Sequence, residues 1–440
     1  MMAAESNSVP DYSEGLQLAL ISIHGLIRGS DLELGRDADT GGQTLYVVEL
    51  ARALAERSDI AQVDLLTRRV VDSSVGDDYA QPLEELSEKA RILRIDCGPE
   101  EYLRKEDLWD QLDTFVDNVM AFYAQEGHSP DLVHGHYADG GYAGVRLSSL
   151  LGVPLVFTGH SLGRVKRRRL LASGLTSKDI EERYNITRRI DAEEETLAAA
   201  ELVVVSTANE IEDQYDLYDH YQPNQMRIIP PGTDLGRFRA PDGSERKSPI
   251  WSELCRFLTE PEKPMLLALA RPDERKNLVG LVEAYGESEA LQSEANLVIV
   301  AGSRDDLREA ENPGARVQLE ILLAIDSNDL YGNVAFPKQH SPEDVAQLYR
   351  LAAASGGLFI NPALTEPFGL TLIEAAASGL PIIATEDGGP RDIVANCSNG
   401  VLIDPLDSEA MSSAMLEILS DADRWKELSR NGLQGVREHY

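Results

Sequence analysis

A chain of 440 residues is long enough for two ordinary domains, and a hydrophobic share of 42% with a mean hydropathy of −0.26 fits a globular protein rather than a membrane one. The 41 Lys and Arg stand against 75 Asp and Glu, and the formal charge of −34 repels phosphate backbones, which excludes general nucleic-acid binding. No apolar run approaches the roughly 18 residues of a membrane span, and Cys97, Cys255 and Cys397 lack the spacing of a disulfide framework or a zinc site.

The start, MMAAESNSVPDYSEG, is polar and acidic and lacks the basic and apolar regions of a secretory signal. With the unpaired cysteines it leads to the expectation of a cytoplasmic protein. LQLALISIHG (16–25) then reads as a strand, and TLYVVELARALAER (44–57) carries Leu45, Val48, Leu50, Ala51, Leu54 and Ala55 at helical spacing. QVDLLT (62–67), ARILRI (90–95), DLVHGHY (131–137), PLVFTGH (154–160) and ELVVVST (201–207) follow as strands, with helical stretches between most of them. The pattern restarts with PMLLALA (264–270), NLVIVAG (296–302), NVAF (333–336), LFINPAL (358–364) and PIIAT (381–385). Such alternation predicts parallel sheets covered on both faces. Breaker residues in IIPPGTDLGRF and PDGSERKSP separate the two series. The expectation is an α/β chain of two doubly wound domains, 1–239 and 240–424, with a terminal helix over 425–440 that can return to the N-terminal domain.

In such sheets ligands sit beyond the carboxyl ends of the strands, so the residues just after each strand are the candidates. After the first strand, Gly41 and Gly42 precede a helix; they suit close approach of a phosphate or a simple glycine turn. No GxGxxG follows that strand, so the nicotinamide fingerprint is absent. His134 and His136 alternate in HGHY and point the same way. No Cys or third His stands near them, so a polar strand end reaching into a cleft fits better than a metal site. His160 and Ser161 end another strand. Adjacent residues rarely face each other productively, and GxSxG is absent around Ser161, which disfavours a hydrolase.

In the second series, Arg271 and Lys276 fall between a strand and a helix. They suit a pyrophosphate leaving group, or are solvated loop cations. In ALTEPFGLTLIEAAASGLP, Glu366 precedes a short helix and Glu374 lies inside it. Carboxylates accept well from sugar hydroxyls, and the amides of Phe368, Gly369 and Leu370 are free at the helix start. A paired-carboxylate hydrolase is the rival, but one helix does not place two acids on opposite sides of a bond.

With E-x7-E in the second of two Rossmann-like domains, the chain resembles the GT-B retaining glycosyltransferases. ISIHGLIRGSDLELGRDADTGGQTLYVVELARAL, HGHYADGGYAG, VFTGHSLGRVK, RRIDAEE, ARPDERKN and INPALTEPFGLTLIEAAASGLPIIATEDGGPRDI are similar to the sucrose-phosphate synthase family within them, over about residues 16 to 420. The resemblance implies a GT-B fold whose two domains face across a cleft. It implies transfer of glucose, with retention, from UDP-glucose to the anomeric hydroxyl of fructose 6-phosphate, without metal or other cofactor. Carried over, Arg271 and Lys276 hold the diphosphate, Glu374 the ribose, and Glu366 with Phe368, Gly369 and Leu370 the glucose. His160 lies beside the glucose and Gly41, Gly42 and Gln43 between donor and acceptor. Tyr137, Ser161, Lys166 and one of Arg188 and Arg189 bind fructose 6-phosphate, with Arg104 or Lys105 added at its phosphate. Lys338 or Gln339 falls at the uracil.

The alternatives are another donor, ADP-glucose or GDP-mannose, and nucleotide-sugar binding without turnover. The chain ends at GVREHY, where relatives continue with a helix that returns to the first domain. Neither a regulatory extension nor a phosphatase-like domain flanks the synthase core, so the product would need a separate sucrose-phosphate phosphatase. One feature stays outside the motif: GRVKRRR packs Arg164, Lys166, Arg167, Arg168 and Arg169 into six positions of an acidic chain. Arg167, Arg168 and Arg169 are either solvated or act to draw in an anionic sugar phosphate.

Overall fold

The structure is a computed structural model and describes residues 15–33, 36–37, 39–304, 307 and 313–440. The acidic start, and positions 34–35 and 38 of the segment after the first strand, lie outside the described residues. The chain divides into two compact units, 1–229 and 230–440.

The first unit is built on strands β1 (Leu16–Ile21), β2 (Ile60–Arg68), β3 (Leu83–Ser87), β4 (Ala90–Ile95), β5 (Leu132–His136), β6 (Leu155–Thr158), β7 (Leu202–Val205) and β8 (Met226–Ile228). They form one sheet in the order β3-β4-β2-β1-β5-β6-β7-β8, parallel except for the β3–β4 pair. Register places Leu18 beside Val63 on one side and Leu132 on the other. Strands such as LQLALI are apolar along their length because helices cover both faces. The second unit holds β9 (Met265–Leu269), β10 (Asn296–Val300), β11 (Val334–Ala335), β12 (Leu358–Asn361), β13 (Ile382–Thr385) and β14 (Gly400–Ile403), all parallel, in the order β11-β10-β9-β12-β13-β14. Its core also lies on both faces of the sheet.

Each sheet reverses its winding once, between β1 and β5 in the first unit and between β9 and β12 in the second. In doubly wound folds the crevice at that reversal is where ligands bind. The candidates after β1, β5 and β6, and those after β9 and β12, fall at or beside these two points.

The structure departs from the sequence expectation in four places. LEELS forms the antiparallel edge strand β3, whose residues are mostly solvated and therefore lack an apolar signature. The breaker-rich IIPP stretch begins inside β8, which adds a three-residue edge. The units part at 229/230 rather than near 240, because Phe238 is buried in the second core against Tyr349, with ring centroids 5.9 Å apart. The terminal helix runs from Ala422 to His439 and packs on the second unit itself. There Trp425 Nε1 donates to the Gly357 carbonyl at 2.8 Å and Ser429 Oγ to that of Gly379 at 2.6 Å.

Candidate active site

In the second unit the loop after β9 carries Lys276, and the loop after β12 carries Glu366. The structure joins them: Lys276 Nζ donates to Glu366 Oε2 at 2.6 Å, and Asn361 Nδ2 donates to the same oxygen at 3.0 Å. Glu366 is buried and its backbone is fixed by the neighbouring loop, with its amide on the Asp387 carbonyl and its carbonyl on the Gly389 amide. Gly388 makes that approach possible. Its φ is +94°, and a Cβ there would stand 2.2 Å from the Glu366 carbonyl oxygen.

Beyond Glu366 the chain turns at Gly369, with φ +100°, into the helix Leu370–Ala377. No side chain caps this helix, so its first amides remain available. The start of the helix Pro342–Ala354, by contrast, is closed by the side chain of Ser341. Glu374 accepts from the Tyr349 hydroxyl at 2.9 Å. Burial pushes its carboxyl up to about 7, partly offset by that hydrogen bond and by Arg237. Arg271 is exposed, while Lys338 and Gln339 follow the edge strand β11, where the Lys338 carbonyl accepts from the Arg304 amide at 2.8 Å.

In the first unit, the candidates after β5 and β6 converge. Arg189, 3% exposed, donates through NH2 to the Ser161 carbonyl at 2.6 Å and its Oγ at 3.2 Å, through Nε to Glu193 at 2.9 Å, and lies 4.4 Å over the Tyr137 ring. Lys166 stands over the Tyr184 ring at 4.0 Å. Burial, and then the Arg189 charge, lower its ammonium to about 8. Glu106 lies 3.8 Å from both Lys166 and Lys105. Lys105 also pairs with buried Asp39, whose carboxyl burial would raise but the ammonium holds low. Tyr137 and His160 hold positive φ, +65° and +55°, a strained arrangement for such residues that clusters at functional sites.

Of the two arginines left open by the sequence, Arg188 turns away, donating to Asp110 at 2.6 Å and to the Trp109 carbonyl at 3.3 Å. Arg104 is exposed beside Glu106 and Asp107. Gln43 donates to Ser22 Oγ at 3.2 Å. Gly41 starts the helix Gly42–Ala55 without a side-chain cap, and a Cβ on either Gly41 or Gly42 would meet nothing within 4 Å. Their own packing does not demand glycine, so the open space, rather than a tight turn, is what these positions keep. His134 and His136 do share one side of β5, but both are buried rather than reaching into open space. Among the described residues no cluster of three or more His, Cys, Asp or Glu could hold a metal, and no helix is long and apolar enough to cross a membrane.

Residues 10–234, more than half of the chain, match the family model described as the first GT-B domain of sucrose synthase, and residues 255–434 match the model of glycosyl transferases group 1. The chain belongs to the GT-B glycosyltransferases. The sequence of this GT-B chain is 44% identical to sucrose-phosphate synthase 4 of Arabidopsis thaliana, over 96% of this chain and 46% of that protein. It is 45% identical to the sucrose-phosphate synthase of Zea mays over 96% of this chain and 46% of that one. The chain therefore spans about half the length of the curated relatives it matches. Among solved structures it superposes on a sucrose-phosphate synthase from Thermosynechococcus elongatus with a TM-score of 0.72 at 29% identity, covering 97% of this chain and 95% of that one.

Several residues of this GT-B site escaped the sequence reading. Asn361 is the last residue of the otherwise apolar strand β12 and gave no motif. Glu193 and Asp39 are acids that hold the cations Arg189 and Lys105 in place, and acids are too common here for any one to stand out. His24, directly after β1, was detectable by the strand-end rule. It bonds Asp139 at 2.7 Å and packs on Tyr137 with centroids 4.5 Å apart.

Proposed function

We propose that the chain is a sucrose-phosphate synthase, transferring glucose with retention from UDP-glucose to fructose 6-phosphate to give sucrose 6-phosphate and UDP. The observation that carries this reading is the grouping of Tyr137, Ser161, Lys166 and Arg189. It sets the cations Lys166 and Arg189 beside Tyr137 and Ser161 in a chain of charge −34, an arrangement suited to a sugar phosphate that the rest of the surface repels. The names of the 44–45% identical relatives support the same activity.

In this reading Lys276 and Arg271 take the diphosphate, and Glu366 with the amides of Phe368, Gly369 and Leu370 takes the glucose. Glu374 takes the ribose, and Lys338 or Gln339 the uracil. His160, Gly41, Gly42 and Gln43 line the space between donor and acceptor, and Lys105 adds to the phosphate side. The bond from the anomeric carbon to the phosphate oxygen breaks on the same face where the fructose oxygen arrives. The departing phosphate oxygen takes the proton from that hydroxyl. No protein base is needed, so catalysis rests on positioning and on stabilising the diphosphate. The product carries a phosphate ester, a substrate of the class that phosphatases act on.

The direct test incubates the protein with fructose 6-phosphate and, in turn, UDP-glucose, ADP-glucose and GDP-mannose, with and without chelator. The expected products are sucrose 6-phosphate and UDP from the first donor, insensitive to chelator. No disaccharide phosphate from any donor sinks the reading.

Two further outcomes are expected. Lys166 carries its charge only below about pH 8, so KM for fructose 6-phosphate should climb as pH passes through that value. Lys166→Arg should flatten the climb, and a KM independent of pH from 7 to about 9 removes Lys166 from the phosphate. The same shift sets stability with the opposite trend. Between about 8 and 10.5 the unfolded chain holds more protons than the native one, so Lys166 costs the fold less as pH rises across that window.

The basic run divides in the structure. Arg164 is tied to Glu194 at 2.5 Å and Asp219 at 3.1 Å, whereas Arg167, Arg168 and Arg169 are exposed on the helix Gly163–Ala172 with no ion pair among the described residues. Changing all three to Glu should lower kcat/KM for fructose 6-phosphate about 10-fold in dilute buffer, an effect that fades near 0.5 M salt as screening shortens. Equal loss at both salt concentrations rules out steering.

A further inference from the structure

Two strand ends bring three imidazoles into one run. His134 Nε2 bonds Thr158 Oγ1 at 2.8 Å, and its ring lies 4.1 Å from that of His136. His136 Nδ1 bonds His160 Nε2 at 3.0 Å, the two rings stacked with centroids 5.2 Å apart. The far side of His160 packs edge-on against Tyr46 at 5.1 Å. His136 is 0% exposed, and its Nε2 has no hydrogen-bond partner. His160 is exposed over part of its surface, although the protein packed around its ring also desolvates it.

The run has one consistent assignment of protons. Burial keeps His136 neutral, well below the ordinary histidine range, and lowers His160 as well, so each ring carries one N–H. The contact between His136 Nδ1 and His160 Nε2 needs one hydrogen. If His160 supplied it, His136 would carry its own hydrogen on Nε2, a buried N–H with no acceptor. Orphaned buried donors are rarer than under-satisfied buried acceptors. The hydrogen therefore belongs to His136 Nδ1, and His160 Nε2 accepts it.

We propose that His136 is a positioning residue that fixes His160 in the tautomer protonated on Nδ1, so that the exposed edge of His160 is a hydrogen-bond donor. The proposal rests on the reading of His160 as a sugar-contacting residue. A donor edge can hold a glucose oxygen or an oxygen of the departing phosphate, where a bare nitrogen would repel either. The φ of His160, +55°, is a strain that persists only where the surrounding structure holds the residue in place.

The test is nitrogen NMR on protein labelled with [15N]histidine, with His160 assigned from a His160→Asn variant. In the unaltered protein His160 is expected to show a protonated Nδ1 and a bare Nε2. A protonated Nε2 there overturns the proposal without any variant. His136→Phe keeps a packed ring but removes the donor. It should return His160 to the Nε2–H form and lower kcat at least ~10-fold while KM for the acceptor stays within about twofold. His136→Asn, whose Nδ2–H can donate as Nδ1–H does, should restore the tautomer and most of the rate. A moved tautomer with unchanged kcat overturns the catalytic half. Because the spectrum needs no substrate, a chain that transfers no glucose defeats the proposed function while the tautomer is still decided.

Discussion

Lys276→Ala is expected to lower turnover with UDP-glucose and fructose 6-phosphate by more than ~100-fold, with little change in acceptor KM. Without donor, Lys276 Nζ is held by Glu366 at 2.6 Å, and Asn361 shares the same carboxylate oxygen. The ammonium is therefore already fixed at the end of β9, beside the β9–β12 reversal, before any diphosphate arrives. Fixed charge is what stabilises a leaving group without reorganisation during bond cleavage. Alanine removes that charge and also leaves Glu366, a buried carboxylate, with Asn361 as its remaining side-chain hydrogen-bond partner among the described residues. Glu366→Gln separates the two effects: it keeps an acceptor for sugar hydroxyls but loosens Lys276. If Lys276→Ala turns over at a near-normal rate in steady-state assays with saturating donor, Lys276 has no part in stabilising the leaving diphosphate.

Parts of this site were legible in the chain because strand ends and helix starts leave strong marks. LVHGH, LVFTGH and MLLAL are apolar runs that stop at polar residues, and the doubly wound rule turns each stop into a candidate. The alternation also carries the order of elements, so the strand-end residues are assignable from the sequence alone. Short edge strands were not legible. β3 is half polar and β8 is three residues long, and both depend on a neighbour for their hydrogen bonds. Partner choice was equally hidden. Neighbours such as Arg188 and Arg189 differ in sequence position by one residue, but a helix turns them about 100° apart. Only the packing of the helix Ile186–Ala199 decides which one is buried. The acids that hold the cations, Glu193, Glu106 and Asp39, carry no local pattern, since their role depends on contacts across 1 to 66 positions of the chain.

Arg189→Ala should raise KM for fructose 6-phosphate about 10- to 100-fold, the range of one or two charge-assisted hydrogen bonds, and leave any turnover of unphosphorylated fructose nearly unchanged. It should also destabilise the fold by about 3–5 kcal/mol, because Glu193, 0% exposed, loses its paired cation. Against a typical total of about 5–15 kcal/mol that loss alone could mimic a binding defect, so two companions are needed. Arg189→Met with Glu193→Gln removes both charges; it should recover most of the thermal midpoint but none of the phosphate affinity. Arg189→Lys keeps the charge but not the fork that reaches Glu193 and Ser161 together, so its KM should lie between the two. Arg188→Ala, which breaks an exposed pair with Asp110 and a bond to the Trp109 carbonyl, should change stability by no more than about 1 kcal/mol and KM hardly at all. A larger KM change in Arg188→Ala than in Arg189→Ala, measured with fructose 6-phosphate under saturating donor, would move the phosphate from the buried arginine to the exposed one.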